Sequence, residues 1–199
     1  MRPYTIVNVG YRSTNFWVVT AGPVRLLVDL GWPGMLGALR AELTRKGIAV
    51  AEITHGFATH YHPDHAGLAQ ELKHSGMQLL ITPEQVRTAP EMTRWTKPEE
   101  HFVPIRTDDA RTRIVSIVES RSVLHDLGID GEFVHTPGHS DDSVSLLLDD
   151  GVVFTGDLTP PGSAEEDHLA LVTQSWAALK GRGARRVYPG HGPVRNLEG

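Results

Sequence analysis

Seven side chains that bind metal ions well lie in four short segments of this 199-residue chain. The first segment, THYHPDHAG, carries two histidines one residue apart, then an aspartate and a third histidine, and TPGHS, FTGD and YPGH each add one residue. The seven are His60, His62, Asp64, His65, His139, Asp157 and His191. Imidazole and carboxylate ligands without thiolate suit borderline divalent ions such as zinc. Seven can hold two ions and leave positions open for water, so the pattern predicts a catalytic metal centre.

The first segment must pass from extended to helical backbone. Residues 53–59 are apolar and β-branched, which predicts a strand, and the residues from Pro63 onward predict a helix that ends at Gly76. His60 and His62 alternate on extended backbone and therefore point the same way, whereas the two ligands at the helix start aim at a neighbouring point. One loop can thus supply ligands to two ions.

These segments resemble the recurring motifs of metallo-β-lactamase fold hydrolases, which are His-x-His-x-Asp-His, Thr-Pro-Gly-His, an Asp after a Gly, and a final Gly-His pair. All are present in order, so the resemblance covers nearly the whole chain. It implies two ligand triads joined by one bridging residue: His60, His62 and His139; Asp64, His65 and His191; and Asp157. The seven-ligand set is similar to that of glyoxalase II, but the motifs assign no subfamily.

The resemblance implies a dinuclear, metal-dependent hydrolase. Two divalent ions about 3.5–4 Å apart can share a hydroxide and stabilise a developing oxyanion. We expect zinc, with iron or manganese also compatible with the ligands. Asp64 and Asp157 are the candidate catalytic residues, because their carboxylates can orient the nucleophile or carry its proton. The sequence has no G-x-S-x-G motif, and the expected reaction is direct attack on an ester, lactone or thioester carbonyl.

Three further functions remain open at this point. Persulfide dioxygenases retain the histidines and use one iron, so ligand types alone do not separate them from hydrolases. The ligand set is also compatible with a phosphodiester hydrolase and with a non-catalytic metal-binding scaffold. Metal content and a substrate panel discriminate among all four functions.

Composition limits the class of protein further. With 199 residues and 40% hydrophobic content, the chain predicts one domain over residues 1–199. A net charge of −5 with interspersed signs gives no basic stripe, so a small-molecule substrate is expected rather than nucleic acid. We identify no signal peptide or apolar stretch long enough to cross a bilayer, which favours a cytoplasmic protein without a membrane partner. The oligomeric state is not indicated.

The predicted elements alternate in a way that indicates a mixed α/β fold. Three antiparallel strands come first, at 4–9, 15–20 and 24–29, followed by a helix at 35–46. After the ligand loop and its helix, strands are predicted at 78–81, 112–118, 131–136, 143–148, 152–155 and 186–188, with a helix at 164–180. The resemblance supplies the fold class, a metallo-β-lactamase-like αβ/βα four-layer sandwich with the metals at one sheet edge.

Residues 82–113 form a long segment that the ligand scaffold does not need. It is rich in proline and charge, yet it contains Met92, Trp95 and Phe102. It is either a lid that presents these side chains to the metals or a surface excursion that packs them in the core. As a lid, with His168 approaching from the other side, it would favour a neutral substrate over a polyanion. Trp95 and His168 are therefore the candidate substrate-binding residues.

Two acidic residues, Asp141 and Asp142, directly follow the third ligand segment. One of them can orient a ligand imidazole, or both can cap the turn.

Overall fold

The computed structural model describes residues 2–197, without the side chain of Pro161. Its first sheet has six strands in sequential order. They are β1 (Thr5–Asn8), β2 (Trp17–Ala21), β3 (Val24–Val28), β4 (His55–Phe57), β5 (Gln78–Ile81) and β6 (Thr112–Ile114). The pairs β1–β2 and β2–β3 are antiparallel, and the strands from β3 to β6 run parallel to one another.

The second sheet has five strands in the order β11-β10-β9-β8-β7. They are β7 (Gly131–His135), β8 (Val144–Leu148), β9 (Val152–Gly156), β10 (Arg186–Pro189) and β11 (Arg195–Asn196). Every residue of β8 and β9 is buried, which is typical of strands that are covered on both faces. Gly151, with φ of 87°, turns the chain between them.

Seven α-helices connect and cover the sheets within the described residues. They are α1 (Leu36–Arg45), α2 (Pro63–Ala66), α3 (Ala69–His74), α4 (Pro83–Val86), α5 (Thr88–Glu91), α6 (Ser120–Asp126) and α7 (Glu166–Gly181). Gly47, with φ of 72°, follows α1 and supports the predicted stop, because a glycine enters the left-handed region without steric cost. Val172, Trp176 and Leu179 form the buried face of α7.

Three apolar clusters separate four layers. The first joins Leu39, Leu43 and Leu72 of the helices to Val18 and Leu27 of the first sheet. The central cluster lies between the sheets, where Phe57 stacks on Phe133 with ring centroids 4.2 Å apart. The third packs α7 against the second sheet. Each large apolar side chain removed from water contributes about 1.5–3 kcal/mol. The predicted αβ/βα four-layer sandwich is confirmed.

Several predicted boundaries need correction. The strand expected at 53–59 is limited to β4, and the strand expected at 112–118 is limited to β6. The single helix expected after Pro63 is two short helices, because the backbone leaves helical geometry at Leu68, with φ of −103° and ψ of 10°. Gly67, directly before it, lies tightly against Pro33. Helix α6 and strand β11 were not predicted. Within residues 2–197, none of the helices combines the length and apolar character needed to cross a bilayer.

The 82–113 segment folds into short helical turns that are partly buried. Met92 is fully buried in the first core cluster, and Phe102 packs against that cluster. At the start of the segment, buried Gln85 donates from Nε2 to the carbonyl oxygens of Ala58 and Thr59, at 2.9 and 3.2 Å. Met92 therefore packs in the core, as the surface-excursion alternative expects, and the segment's first turn holds the ligand loop.

Candidate metal centre

Each predicted ligand follows the carboxyl end of a strand. The THYHPDH loop follows β4, His139 follows β7, Asp157 follows β9 directly, and His191 comes two residues after β10. The loop from β4 is tied to the second sheet, because Val144 N at the start of β8 donates to Thr59 O at 2.8 Å. The two sheets thus bring four distant segments to one edge.

The structure gathers all seven side chains into two adjacent groups. Within each group the candidate ligand atoms lie within 4.8 Å of one another. The imidazole group consists of His60, His62 and His139, and the carboxylate group consists of Asp64, His65, Asp157 and His191. In the imidazole group, His62 Nδ1 lies 3.1 Å from His60 Nε2 and 3.0 Å from His139 Nε2.

Asp157 lies between the two groups. Its Oδ1 is 3.3 Å from His65 Nε2, and its Oδ2 is 3.3 Å from His191 Nε2. The same Oδ2 is 3.8 Å from His139 Nε2 in the imidazole group. This position matches the bridging role that the resemblance implies, and that role stays a prediction.

Asp29 connects the buried histidines of both groups. Its Oδ2 accepts from His65 Nδ1 at 2.9 Å, and its Oδ1 accepts from the backbone and the hydroxyl of Thr59 at 2.8 and 2.9 Å. Thr59 Oγ1 in turn lies 3.2 Å from His60 Nδ1. Asp29 is buried and has φ of 62°, which for a residue other than glycine costs about 1–3 kcal/mol. Hydrogen bonds of this type fix the ring orientation of metal-binding histidines.

The loop before β2 supports the carboxylate group from the other side. His191 Nδ1 donates to Ser13 O at 2.6 Å. Thr14 Oγ1 donates to Asp64 Oδ2 at 3.2 Å and accepts from Trp32 Nε1 at 3.1 Å. The N-terminal part of the chain therefore orients ligands that are far away in sequence.

Gly190 makes room for the carboxylate group. A Cβ atom at this position would lie 2.5 Å from both Asp157 Oδ1 and His65 Cε1. Gly156, directly before Asp157, has φ of 53°, and a Cβ there would lie 2.2 Å from Thr59 Oγ1. Both glycines are needed for close approach, and Gly156 is needed for its backbone conformation as well.

Burial favours the neutral form of two histidines in the imidazole group. It lowers the pKa of His60 well below the usual histidine range, and the neighbouring imidazoles add to this shift. Burial also lowers the pKa of His139, although the Asp157 carboxylate opposes part of that effect. Neutral imidazole is the form that binds metal.

The carboxylate group has the opposite electrostatics. Burial alone would lower the pKa of His65, but Asp29, Asp157 and Asp64 outweigh it and raise that pKa well above the usual range. Burial alone would raise the pKa of Asp64 and of Asp157, yet His65 and His191 lower both. The group thus concentrates negative charge around His65.

The chemistry of this donor set fits divalent ions. His65 Nε2 and Asp157 Oδ1 are buried without a hydrogen-bond partner, and such atoms cost about 1–3 kcal/mol each when they stay unsatisfied. They face each other at 3.3 Å without the alignment of a hydrogen bond. A cation bound by both would satisfy them.

The two candidate substrate-binding residues lie near the groups. The Trp95 ring is 49% exposed, and its centroid lies 5.9 Å from that of His62. His168 lines a cavity of about 300 Å³ together with His139. Their roles stay predictions.

Of the two acidic residues after His139, Asp142 is the one directed towards the ligand loop. Its Oδ2 accepts from the backbone of Tyr61, between two ligands, at 2.8 Å. Asp141 is exposed. Asp142 therefore holds ligand-bearing backbone instead of contacting an imidazole.

Sequence reasoning missed Asp29, Thr59, Thr14 and Ser13. Only Asp29 had a local signal, because an acidic residue directly follows the apolar strand β3. The other three act through single hydroxyl or carbonyl oxygens, which leave no recognisable sequence pattern.

An αβ/βα sandwich that gathers five histidines and two aspartates in two groups at one edge defines a class of metal-binding proteins. The family model described as "Metallo-beta-lactamase superfamily" matches residues 9–191. The chain belongs to this superfamily.

Similar proteins match this chain at low sequence identity. The chain is 28% identical over 187 residues to the lactamase-like protein notP of Aspergillus sp. (strain MF297-2), covering 92% of this chain and 50% of that protein. It is 27% identical over 190 residues to the atrochrysone carboxyl ACP thioesterase AacuM of Aspergillus aculeatus, covering 92% and 52%. The chain thus spans about half the length of these curated relatives. A metallo-beta-lactamase family protein from Thermus thermophilus is similar in structure, with TM-score 0.67 and 21% identity, over 97% of this chain and 74% of that chain.

Proposed function

We propose that this protein is a dinuclear metal-dependent hydrolase that cleaves a small ester, lactone or thioester at its carbonyl group. The observation that carries the proposal is the position of Asp157, whose carboxylate lies 3.3 Å from His65 and His191 and 3.8 Å from His139. One carboxylate within reach of both groups can join two ions into a single centre. Zinc is the preferred ion on ligand type, and iron and manganese also suit the ligands.

When bound, such ions make water nucleophilic near neutral pH and stabilise negative charge on a carbonyl oxygen. The chain supplies the positioning. Buried His60 and His65 close the inner side of the site, whereas the more exposed His139 and His191 face the side from which substrate enters. Asp64, held by Thr14, and Asp157 are placed to orient the attacking water and accept its proton.

Three findings support a carbonyl substrate. A relative that matches 92% of this chain is named as a carboxyl ACP thioesterase. In addition, the chain carries a net charge of −5, which disfavours extended phosphate backbones. The half-exposed Trp95 beside His62 offers an apolar contact for an acyl group.

The test combines metal analysis with a substrate panel. Protein purified without added metal is analysed for its elements, depleted, and reloaded separately with zinc, iron or manganese. We expect two equivalents of metal and hydrolysis of thioester, lactone or ester substrates in preference to phosphodiester and β-lactam substrates. A single ion with no second bound on titration contradicts the dinuclear centre, and a clear phosphodiester preference contradicts the carbonyl substrate. One iron together with oxygen consumption on a persulfide supports a dioxygenase instead.

A further inference from the structure

Two cavities of about 300 Å³ each adjoin the metal centre and share His139 and Thr159. The first, the Glu165 cavity, extends past Ser163, Glu165 and His168. The second, the Arg195 cavity, is lined by His139, Asp157, Leu158, Pro160, His191 and Arg195. A substrate whose reacting carbonyl lies at the ligands can therefore extend to either side.

Arg195 is a cation whose guanidinium lies over a buried aromatic ring. Its backbone belongs to β11 and pairs with Val187 of β10. Its guanidinium carbon lies 5.6 Å from the ring centroid of Trp176, which is 3% exposed and donates from Nε1 to Thr159 O at 2.8 Å. A guanidinium that stacks on an anchored ring loses little further freedom when it binds a ligand.

The charge of Arg195 is not neutralised by an acidic side chain within residues 2–197, where no Asp or Glu forms an ion pair with it. Asp157 lines the same cavity, but its carboxylate oxygens lie 3.3 Å from His65 and His191 of the carboxylate group. Across His139, the other cavity carries the carboxylate of Glu165 instead. The two cavities therefore differ in charge, and Arg195 is the one Lys or Arg side chain that lines either of them in the described chain.

We propose that the Arg195 cavity is a subsite for an anionic group, a carboxylate or a phosphate, at one end of the substrate. This inference rests on the proposed hydrolase function and narrows its substrate class to acyl compounds with a terminal negative charge. A planar guanidinium binds both anions through paired hydrogen bonds. The expected substrate is therefore an acyl compound with one charged end, instead of the neutral substrate that Trp95 and His168 alone would favour.

The test measures binding with product-like acids on the zinc-loaded protein by titration calorimetry. Butyrate carries one carboxylate for the metal centre, whereas glutarate and 4-phosphonobutyrate add a second anion at the far end. We expect the wild type to bind the two dianionic ligands about 10- to 100-fold more tightly than butyrate, as charge-assisted hydrogen bonds predict. If glutarate binds more tightly, the subsite prefers a carboxylate, and if 4-phosphonobutyrate binds more tightly, it prefers a phosphate. Arg195→Met, which keeps an apolar stem over Trp176, should abolish the preference.

Arg186→Met is the matched control. The Arg186 guanidinium carbon also lies 5.6 Å from an aromatic centroid, that of Tyr188, but this residue lines a different cavity with Tyr4 and Asp150. The Arg186→Met substitution removes the same charge and the same type of ring contact as Arg195→Met, but away from the metal centre. The preference for dianionic ligands over butyrate should therefore persist in this variant. Equal binding of butyrate and glutarate by the wild type, or an unchanged preference in Arg195→Met, overturns the subsite.

Binding without turnover separates this inference from the proposed function. If no substrate in the panel is hydrolysed but Arg195→Met abolishes the anion preference, the subsite stands and hydrolysis fails. If hydrolysis occurs, thioesters with and without a terminal carboxylate complete the test. Arg195→Met should raise KM only for the carboxylated thioester and leave kcat unchanged, and an equal rise for both thioesters contradicts the assignment.

Discussion

The imidazole group and the carboxylate group differ in charge and in how they are held. The imidazole group contains three histidines, whereas the carboxylate group contains two aspartates and two histidines. Asp29 contacts His65 directly but reaches His60 only through the Thr59 hydroxyl. His60 and His139 can therefore accept a cation in their neutral form, whereas the carboxylate group attracts a cation more strongly but must first lose the proton of His65.

Asp157→Ala should have the largest effect, because it removes the link between the groups. We expect kcat/KM to fall at least about 100-fold, as for the loss of a preorganised electrostatic contact. The variant should also lose one equivalent of bound metal. The apolar pattern of β9 is unchanged, so the free energy of unfolding should change less than activity. Asp141→Ala, at an exposed acid near His139, is the control. Full turnover with two bound ions in Asp157→Ala would contradict the bridge.

Asp29→Asn and Thr59→Val should separate the two groups. Asp29→Asn removes the charge next to His65 and should weaken binding at the carboxylate group by about 10- to 100-fold, with a smaller loss at the imidazole group. Thr59→Val removes the hydroxyl beside His60 and should weaken metal binding mainly at the imidazole group. Stepwise chelator competition measures both affinities. Equal losses at both groups in both variants would show that the direct and relayed contacts are equivalent.

Metal binding at the two groups should depend differently on pH. Since the pKa of His65 is raised, the metal-free carboxylate group holds a proton near neutral pH that a cation must displace. Affinity there should rise with pH until the raised pKa is passed. His60 and His139, with lowered pKa values, are already neutral in that range. Calorimetry in buffers of different ionisation enthalpy should detect proton release in one binding step only, and release in neither step would contradict the comparison.

The same proton affects the stability of the metal-free protein. A raised folded-state pKa contributes stability that is fully present below the ordinary histidine pKa and is lost as pH rises through the raised value. Urea titrations of metal-free protein should therefore show this contribution decline above neutral pH. His65→Gln, which cannot bind that proton, should lack the decline.

Trp32→Phe should have the smallest effect. It removes the indole donor to Thr14, whose hydroxyl contacts Asp64. A net loss of about 1 kcal/mol in the free energy of unfolding is expected for one hydrogen bond, with a modest loss of affinity at the carboxylate group. Tyr4→Phe removes a hydrogen bond to Asp150 away from the site and should not alter metal affinity. Identical metal affinity in the two variants would show that Trp32 does not help to position the carboxylate group.

The sequence was informative where one local pattern carried the information. The order of strands and helices predicted a mixed α/β domain, the resemblance carried by the ligand motifs implied the four layers, and the stop of α1 followed from Gly47. The break between α2 and α3 at Leu68 was not predicted, and the close contact of the adjacent Gly67 with Pro33, more than thirty residues earlier, has no local sequence signal. Helix α6 is only seven residues long and buries Val123 and Leu124 as its main apolar pair, too few positions for a periodic signal.

The supports of the site were hidden for a related reason. Asp29 and Thr59 are thirty residues apart, and their hydrogen bonds exist only after β3 and β4 have paired. Arg195 is one of many basic residues in the sequence, and only the chain path through β11 places it next to His191. The sequence therefore predicts which residues are metal ligands, whereas the contacts that orient those ligands form only in the folded chain.

The close fit around Gly190 restricts how the gene can vary at this position. Every base change that alters the encoded residue at a glycine codon, other than one that ends the chain, adds a Cβ atom. That atom would lie 2.5 Å from both Asp157 and His65. Real Cβ atoms do not approach other atoms so closely, and His65 is held by its hydrogen bond to Asp29. Among active variants in a randomised library, this codon should therefore retain only synonymous changes, while the codon for exposed Gly181, where a Cβ would meet nothing within 4 Å, should vary freely.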